Sequence, residues 1–279
     1  VRALIPPTQG PVDLHSWYGD SWSRDGGVRL NMIESADGAA MLDGKSGGLQ
    51  TPGDNRTFAA LRDLADVIVA GSGTVRAEGY GPAVPSEDRQ RRRIAQGYRA
   101  VPRIALVSDG LNLDLRSPLF VDAAPDARTI VITSGAAEPD RLAALDGLAD
   151  VVAVGAGTVD LAAAMAELRA RGLRRILCEG GPTLLASMVR AEAADELCVT
   201  ISPKLAGPGP GRIAAGAAWT GWAGVPVGLG LTHLLEEDGA LFARYAIERA
   251  AIGRSGNGPS GNGQSGKGQS ANGPGASGA

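Results

Sequence analysis

Apolar residues fall along this chain in short runs, each closed by small or polar residues and most followed by a stretch of helical spacing. Val67-Ile68-Val69, Ile104 to Val107, Ile130 to Ile132, Val151 to Val154 and Ile176-Leu177-Cys178 are too short for helices and read as buried strands. Between them, Phe58, Leu61 and Leu64, then Leu161, Met165 and Leu168, then Leu184, Leu185, Met188 and Val189 recur at helical intervals. Thr51-Pro52 and Pro182 mark helix starts, and Gly172 marks a helix end. Strands alternating with helices across short turns predict a mostly parallel sheet with helices on both faces.

The two ends of the pattern differ. Val28 to Ile33 is the first strand, with Val28, Leu30 and Met32 alternating with Arg29, Asn31 and Ile33. Residues 1–27 are rich in Pro, Gly and Asp and read as an N-terminal arm on the surface, with His15 solvated or packed. After residue 195 the pattern is a strand to Ser202, an irregular stretch with Trp219 and Trp222, and two strands around Glu237-Asp238-Gly239. That tripeptide predicts a tight antiparallel hairpin. His233 on its first strand reads as structural. Residues 251–279 are almost wholly Gly, Ser, Asn and Gln, cannot offset their ordering entropy, and read as a disordered tail. The domain expected is thus 28–250.

Two strand ends carry candidate chemistry. Glu179-Gly180-Gly181-Pro182 follows one strand and opens a helix; Gly71-Ser72-Gly73-Thr74 follows another. Bare backbone at a helix start suits a diphosphate, and Thr74 adds a hydroxyl. Neither is the G-x-G-x-x-G fingerprint. Each alone equally suits a plain turn; the expectation is that the two bends lie side by side and grip one dinucleotide. Residues 39–53 are small and Gly-rich, either an ordinary loop or one that closes over a ligand. The basic run Arg89, Arg91, Arg92 and Arg93 reads as a solvated helix face.

Composition narrows the classes. The chain has 279 residues, 44% hydrophobic and 20% charged, with net charge −3 and 4% aromatics. That leaves room for a large core and gives no basic or base-stacking surface for nucleic acid. Cys178 and Cys198 fall inside strands, so neither a disulfide framework nor a metal site is expected, and a reducing cytoplasm fits. No signal peptide and no membrane-spanning run is visible.

VRLNMIESADG (28–38), LRDLADVIVAGSGTVRAE (61–78), LCEGGPTLLASMV (177–189) and DELCVTISPKLAG (195–207) occur in this order. Together they resemble the C-terminal reductase domain of bifunctional riboflavin-biosynthesis deaminase-reductases, and its stand-alone actinobacterial pyrimidine-reductase relatives. The H-x-E and P-C-x-x-C pair of the deaminase half is not found. The resemblance implies a dihydrofolate-reductase-like fold, a homodimer, and NADPH-dependent reduction of 5-amino-6-(5-phosphoribosylamino)uracil to its ribityl form. It implies that Gly181 through Ser187, including Pro182, Thr183 and Leu184, hold the diphosphate. Ile33, Gly48, Thr74, Glu78 and Ser108 would line the cofactor, beside Gly71, Gly73 and Gly180. Ser46, Arg62, Pro82 and Glu179 would face the substrate.

Glu179 either holds ribityl hydroxyls or assists protonation. Asp37 is read as catalytic or as a turn-former. Arg62 meets a substrate phosphate or ring carbonyl, or else lies on a helix surface. Asn31 stands where the bifunctional enzymes carry Lys, Pro85 where they carry a basic residue, and Gly48 where they carry an aromatic. Those departures leave room for a dihydropterin substrate. A third reading keeps the fold and holds NADP(H) without turnover.

Overall fold

The computed structural model describes residues 1–19, 22, 26–209, 211–219 and 226–248. Its first strands are β1 (Arg2–Ile5), β2 (Pro7–Pro11), β3 (Gly27–Ser35), β4 (Val67–Gly71), β5 (Arg103–Val107) and β6 (Ile130–Thr133). They are followed by β7 (Asp150–Ala153), β8 (Arg175–Cys178), β9 (Glu196–Ser202), β10 (Leu229–Glu237) and β11 (Ala240–Ile247). The helices are α1 (Leu14–Gly19), α2 (Pro52–Leu64), α3 (Ser72–Glu78), α4 (Glu87–Ala95), α5 (Pro118–Val121), α6 (Pro139–Ala143), α7 (Leu161–Ala170) and α8 (Pro182–Arg190).

The eleven strands among the described residues join one sheet in the order β2-β1-β10-β11-β9-β3-β8-β4-β5-β6-β7. From β9 to β7 each pairing is parallel, and from β9 back to β2 each is antiparallel. The expected parallel α/β sheet and terminal hairpin are both present. The hairpin turns as its sequence requires: Asp238 and Gly239 both take positive φ, 50° and 80°. One core, around Leu61, Leu64, Leu177 and Phe242, lies under α1 and α2. The other, around Leu30, Ile176, Met165 and Met188, lies under α7 and α8.

The order of the strands makes the cleft. β8 inserts between β3 and β4, although about a hundred residues of chain separate it from β4. The carboxyl ends of β3, β8 and β4 therefore open into one crevice, the place where open parallel sheets put ligands. Helix starts follow local chemistry. The Thr51 hydroxyl accepts from the Asp54 N–H, and the Asp160 carboxylate from the Ala163 N–H.

Two sequence expectations change here, and the structural reading of His233 holds. The N-terminal segment is not a surface arm: β1 and β2 extend the sheet beyond β10, and α1 buries Leu14 and Tyr18 against α2. Two inward arginines hold it, the Arg29 guanidinium donating to the Tyr18 carbonyl and that of Arg244 to the Trp17 carbonyl. His233 is buried against the edges of the Trp17 and Tyr18 rings; burial and the neighbouring arginines push its pKa down to about 3. The basic run is not uniformly solvated either. Arg91 is exposed, but Arg89 pairs with Asp63, and Arg93 is 1% exposed. Its guanidinium donates to the carbonyls of Arg62, Asp63, Ala65 and Arg99, closing the C-terminal end of α2. The expected disordered tail and Trp222 lie outside the described residues.

Truncating Arg93 leaves several buried carbonyls without a donor. Arg93→Ala is expected to cost about 2–4 kcal/mol of unfolding free energy, read by urea titration. A loss under about 0.5 kcal/mol, the usual range for a surface change, contradicts the capping role.

Candidate active site

The crevice is a cleft of about 400 Å³. Its floor is Asn31, Met32 and Ile33 at the end of β3. One wall is the inner face of α2, where Asp54, Phe58 and Arg62 recur every four residues and so lie in one stripe. The opposite wall is Thr74, Ala77 and Glu78 of α3 with the turn 79–82. Glu179, Gly181 and Pro182 close the back, and Ala40, Met41, Gly44, Ser46 and Gln50 cross the mouth.

The glycine bends lie side by side. The Gly71 N–H donates to the Gly180 carbonyl at 2.8 Å. A Cβ on Gly181 would run into the Thr74 hydroxyl, and one on Gly180 would sit 2.9 Å from the Met32 sulfur. The Thr74 and Met32 side chains pack against bare backbone on the β8 side, and Gly180 takes a φ of 84° that favours glycine.

At the back a charged network is fully organised. Arg62 Nε donates to Glu179 Oε1 at 2.7 Å, Arg62 NH2 to Oε2 at 2.6 Å, and the Tyr80 hydroxyl to Oε2 at 2.7 Å. The two-point guanidinium–carboxylate contact is the strong form of this pair. Phe58 stacks under the Arg62 guanidinium at 4.3 Å. Burial works against the Arg62 charge, but Glu179 and Tyr80 outweigh it and raise its pKa. Burial and the Glu179 charge lift the Tyr80 phenol well above its ordinary value, so it stays a neutral donor.

The glycine-rich loop is latched across the mouth. The Ser46 N–H and hydroxyl both donate to Glu78 Oε1, at 2.9 and 3.1 Å. On its other side, Lys204 Nζ donates to the Gly48 carbonyl at 2.8 Å and the Gln50 carbonyl at 3.1 Å.

Of the residues singled out from sequence, Asn31, Ile33, Ser46, Arg62 and Pro82 line this cleft. So do Thr74, Glu78, Glu179, Gly181 and Pro182. Gly71 and Gly180 sit directly beneath, joined by their hydrogen bond. Thr183 and Leu184 form the first turn of α8, and Gly73 lies in the first turn of α3. Ser108 is buried at the end of β5, where its N–H donates to the Ile132 carbonyl. Gly48 packs on Leu42, outside the lining. Asp37 is not brought to the cleft. Its carboxylate accepts from the Ser35 hydroxyl and the Ala206 and Gly207 N–H groups, which together hold its pKa down to about 2. It anchors the 203–207 turn to the end of β3, the turn-forming side of the two roles considered.

Sequence reasoning missed Asp54, Phe58 and Tyr80. Phe58 was assigned to the core stripe, yet Asp54, Phe58 and Arg62 share a spacing of four that signals one helix face. Tyr80 carried no such signal.

The residues present fit a nicotinamide dinucleotide. The first N–H groups of α8 have no partner within the helix, a setting that suits a diphosphate, and the cleft opens onto Thr74, Gly181 and Pro182 beside them. Among the described residues no cluster of three or more His, Cys, Asp or Glu could hold a metal.

Known proteins resemble this chain over the same span. The family described as the RibD C-terminal domain matches residues 27–218. The 2,5-diamino-6-ribosylamino-4(3H)-pyrimidinone 5′-phosphate reductase of Archaeoglobus fulgidus is 29% identical over 172 residues, 59% of this chain and 77% of its own. The protein of the same name from Methanothermobacter thermautotrophicus is 28% identical over 186 residues, covering 64% and 79%. Among solved structures, a pyrimidine reductase-like protein of Corynebacterium diphtheriae is 28% identical with a TM-score of 0.75, covering 86% of this chain and 100% of that one.

Removing one partner of the buried pair strands the other. Glu179→Gln is expected to lower the unfolding free energy by about 3 kcal/mol, measured by denaturant titration. An unchanged midpoint contradicts the account of the back wall.

Proposed function

The chain belongs to the RibD C-terminal domain family, and from that membership we infer its work: it is an oxidoreductase that reduces a ribosylaminopyrimidine phosphate in riboflavin synthesis. The observation that carries this reading is the meeting, in one cleft, of residues from β3, α2, the β4–α3 bend and the β8–α8 bend.

We assign NADPH as the cofactor; when bound, it supplies the hydride. The α8 N-terminus and the paired bends hold the diphosphate, and Ile33, Thr74 and Glu78 line the nicotinamide side. Asn31, Ser46, Arg62, Pro82 and Glu179 face the pyrimidine substrate. Glu179 is the group that meets the opened ribose. Arg62 and Tyr80 fix its orientation, and Oε1, which accepts only from Arg62 Nε among the described residues, has a lone pair left for a ribose hydroxyl. The loop latched by Ser46 to Glu78 keeps water from the reacting carbon.

The protein acts in the cytoplasm as a homodimer in this reading. Cys178 and Cys198 are buried free thiols, as a reducing compartment allows. No helix among the described residues is long and apolar enough to cross a membrane. Leu231, Tyr245 and Leu197 lie abreast on neighbouring strands, with Leu229 beside Ile247, and Leu229 and Leu231 are exposed by 43% and 42%. Such an apolar row on a sheet suits burial against a second copy.

Following nicotinamide absorbance with NADPH and a ribosylaminopyrimidine 5′-phosphate tests the activity directly. Oxidation well above blank is expected, and none with dihydrofolate; the reverse pattern overturns the assignment. Sedimentation is expected to show a dimer that Leu231→Asp converts to monomer. A wild-type monomer at micromolar concentration removes the dimer.

A further inference from the structure

A second pocket lies outside the cleft, against the opposite face of α2. It measures about 360 Å³ and sits among α1, α2 and α4. From α2 it takes Arg56 and Asp63, whereas the cleft takes Asp54, Phe58 and Arg62. At 3.6 residues per turn the two sets point about 150° apart, so α2 is the partition between the two spaces. His15 of α1 and Arg89 and Arg92 of α4 complete the charged lining with Asp13.

Most of these groups are already spoken for. Arg89 Nε donates to Asp63 Oδ2 at 2.7 Å and its NH2 to the Ala59 carbonyl at 2.9 Å. Arg56 pairs with Glu237. Asp13 accepts from the Ser16 N–H and hydroxyl. Two groups are not so matched. Arg92, three residues from Arg89 and so on the same side of α4, is exposed and pairs with no carboxylate among the described residues; its NH1 lies 3.5 Å from His15 Nε2. The Asp63 side chain is 3% exposed, and its Oδ2 faces both Arg89 and His15 Nε2, the latter at 3.1 Å. Its Oδ1 is buried with no donor among the described residues. The pocket thus sets a guanidinium with unused donors beside a carboxylate with an unused acceptor, and a buried acceptor left unmatched is costly. A ligand that answers both carries an anionic group and a hydroxyl close together.

We propose that this pocket binds a polyol phosphate, a small phosphomonoester with a neighbouring hydroxyl, and that its occupancy is felt in the cleft. The phosphate lies on Arg92 and Arg56, and the hydroxyl donates to Asp63. Such a ligand ties α4 to α2 beside Arg62, the residue whose carbonyl Arg93 caps and whose guanidinium holds Glu179 at the back of the cleft. Fixing that end of α2 holds the substrate wall in its binding geometry. The ligand therefore lowers KM for the pyrimidine and leaves kcat unchanged, since no group of this pocket touches the reacting atoms. Linkage requires the converse: the pyrimidine raises the affinity for the polyol phosphate by the same factor.

The site stands without the reductase reading; only the coupling rests on it. Glycerol 3-phosphate, methyl phosphate and glycerol are titrated calorimetrically into the full chain, with and without NADPH, as wild type and as Arg92→Gln. Wild type is expected to bind glycerol 3-phosphate in both conditions, and methyl phosphate at least about tenfold more weakly for want of the hydroxyl. Glycerol is expected not to bind, and Arg92→Gln to lose at least about tenfold in affinity for glycerol 3-phosphate. In the NADPH assay, glycerol 3-phosphate is expected to lower the wild-type KM about fivefold and to leave that of Arg92→Gln unmoved. No binding by the wild type, equal binding of methyl phosphate, or equal binding by the variant overturns the site. Competition with the pyrimidine places the ligand in the cleft and overturns it too. Binding with an unmoved KM overturns the coupling. Absence of turnover in every mixture overturns the reductase reading, and the calorimetry still decides the site.

Discussion

The site depends on the close pairing of two strand ends, where the Glu179 N–H donates to the Val69 carbonyl at 2.9 Å and the Gly71 N–H to the Gly180 carbonyl at 2.8 Å. That pairing follows from β8 lying beside β4, and with β3 on its other side the three carboxyl ends meet. Three parallel strands then end together, and the chain leaving two of them must turn within the same few ångströms. Glycine is required on the β8 side, where Gly180 takes a φ of 84° and a Cβ on Gly181 would meet the Thr74 hydroxyl, whereas a Cβ on Gly71 would sit at ordinary contact distance, 3.8 Å from the Gly181 nitrogen. The bare surface this leaves is also the one that a dinucleotide requires, so packing and binding are met by the same residues.

The far wall works by different physics. Helix α2 buries Leu61 and Leu64 in the core as a layered fold requires, and turns the neighbouring stripe of Asp54, Phe58 and Arg62 to the cleft. Arg62 is neutralised in place by Glu179, whose carboxylate the Tyr80 hydroxyl also holds, so the orientation of the pair is fixed before any ligand enters. Asp54, at the other end of the stripe, has no such partner. One end of the cleft is thus preorganised before any ligand enters.

Much of this was legible along the chain. The apolar runs became β4 to β8, the hairpin turned at Asp238-Gly239, and the two bends came together as their Gly and Thr content suggested. What escaped depends on contacts distant in sequence. Residues 2–11 lack strand patterning of their own and form strands only because β10 offers an edge. Arg29, Arg93 and Arg244 look like surface residues until the carbonyls they cap are placed around them. Asp54 sits where a first-turn acid favours the helix dipole, a sufficient local reason that concealed its place in the cleft. Asp37 shows the converse, since of the two roles its sequence setting offered, catalytic acid or turn-former, its carboxylate takes the second and anchors a turn.

The most direct measurement is a crystal structure of the protein soaked with NADPH. The account places the diphosphate against the backbone N–H groups at the start of α8, over the joined Gly71 and Gly180 bends, with the nicotinamide toward Ile33. Diphosphate density at the ends of β6 and β7 instead, with the space over the paired bends closed, contradicts it.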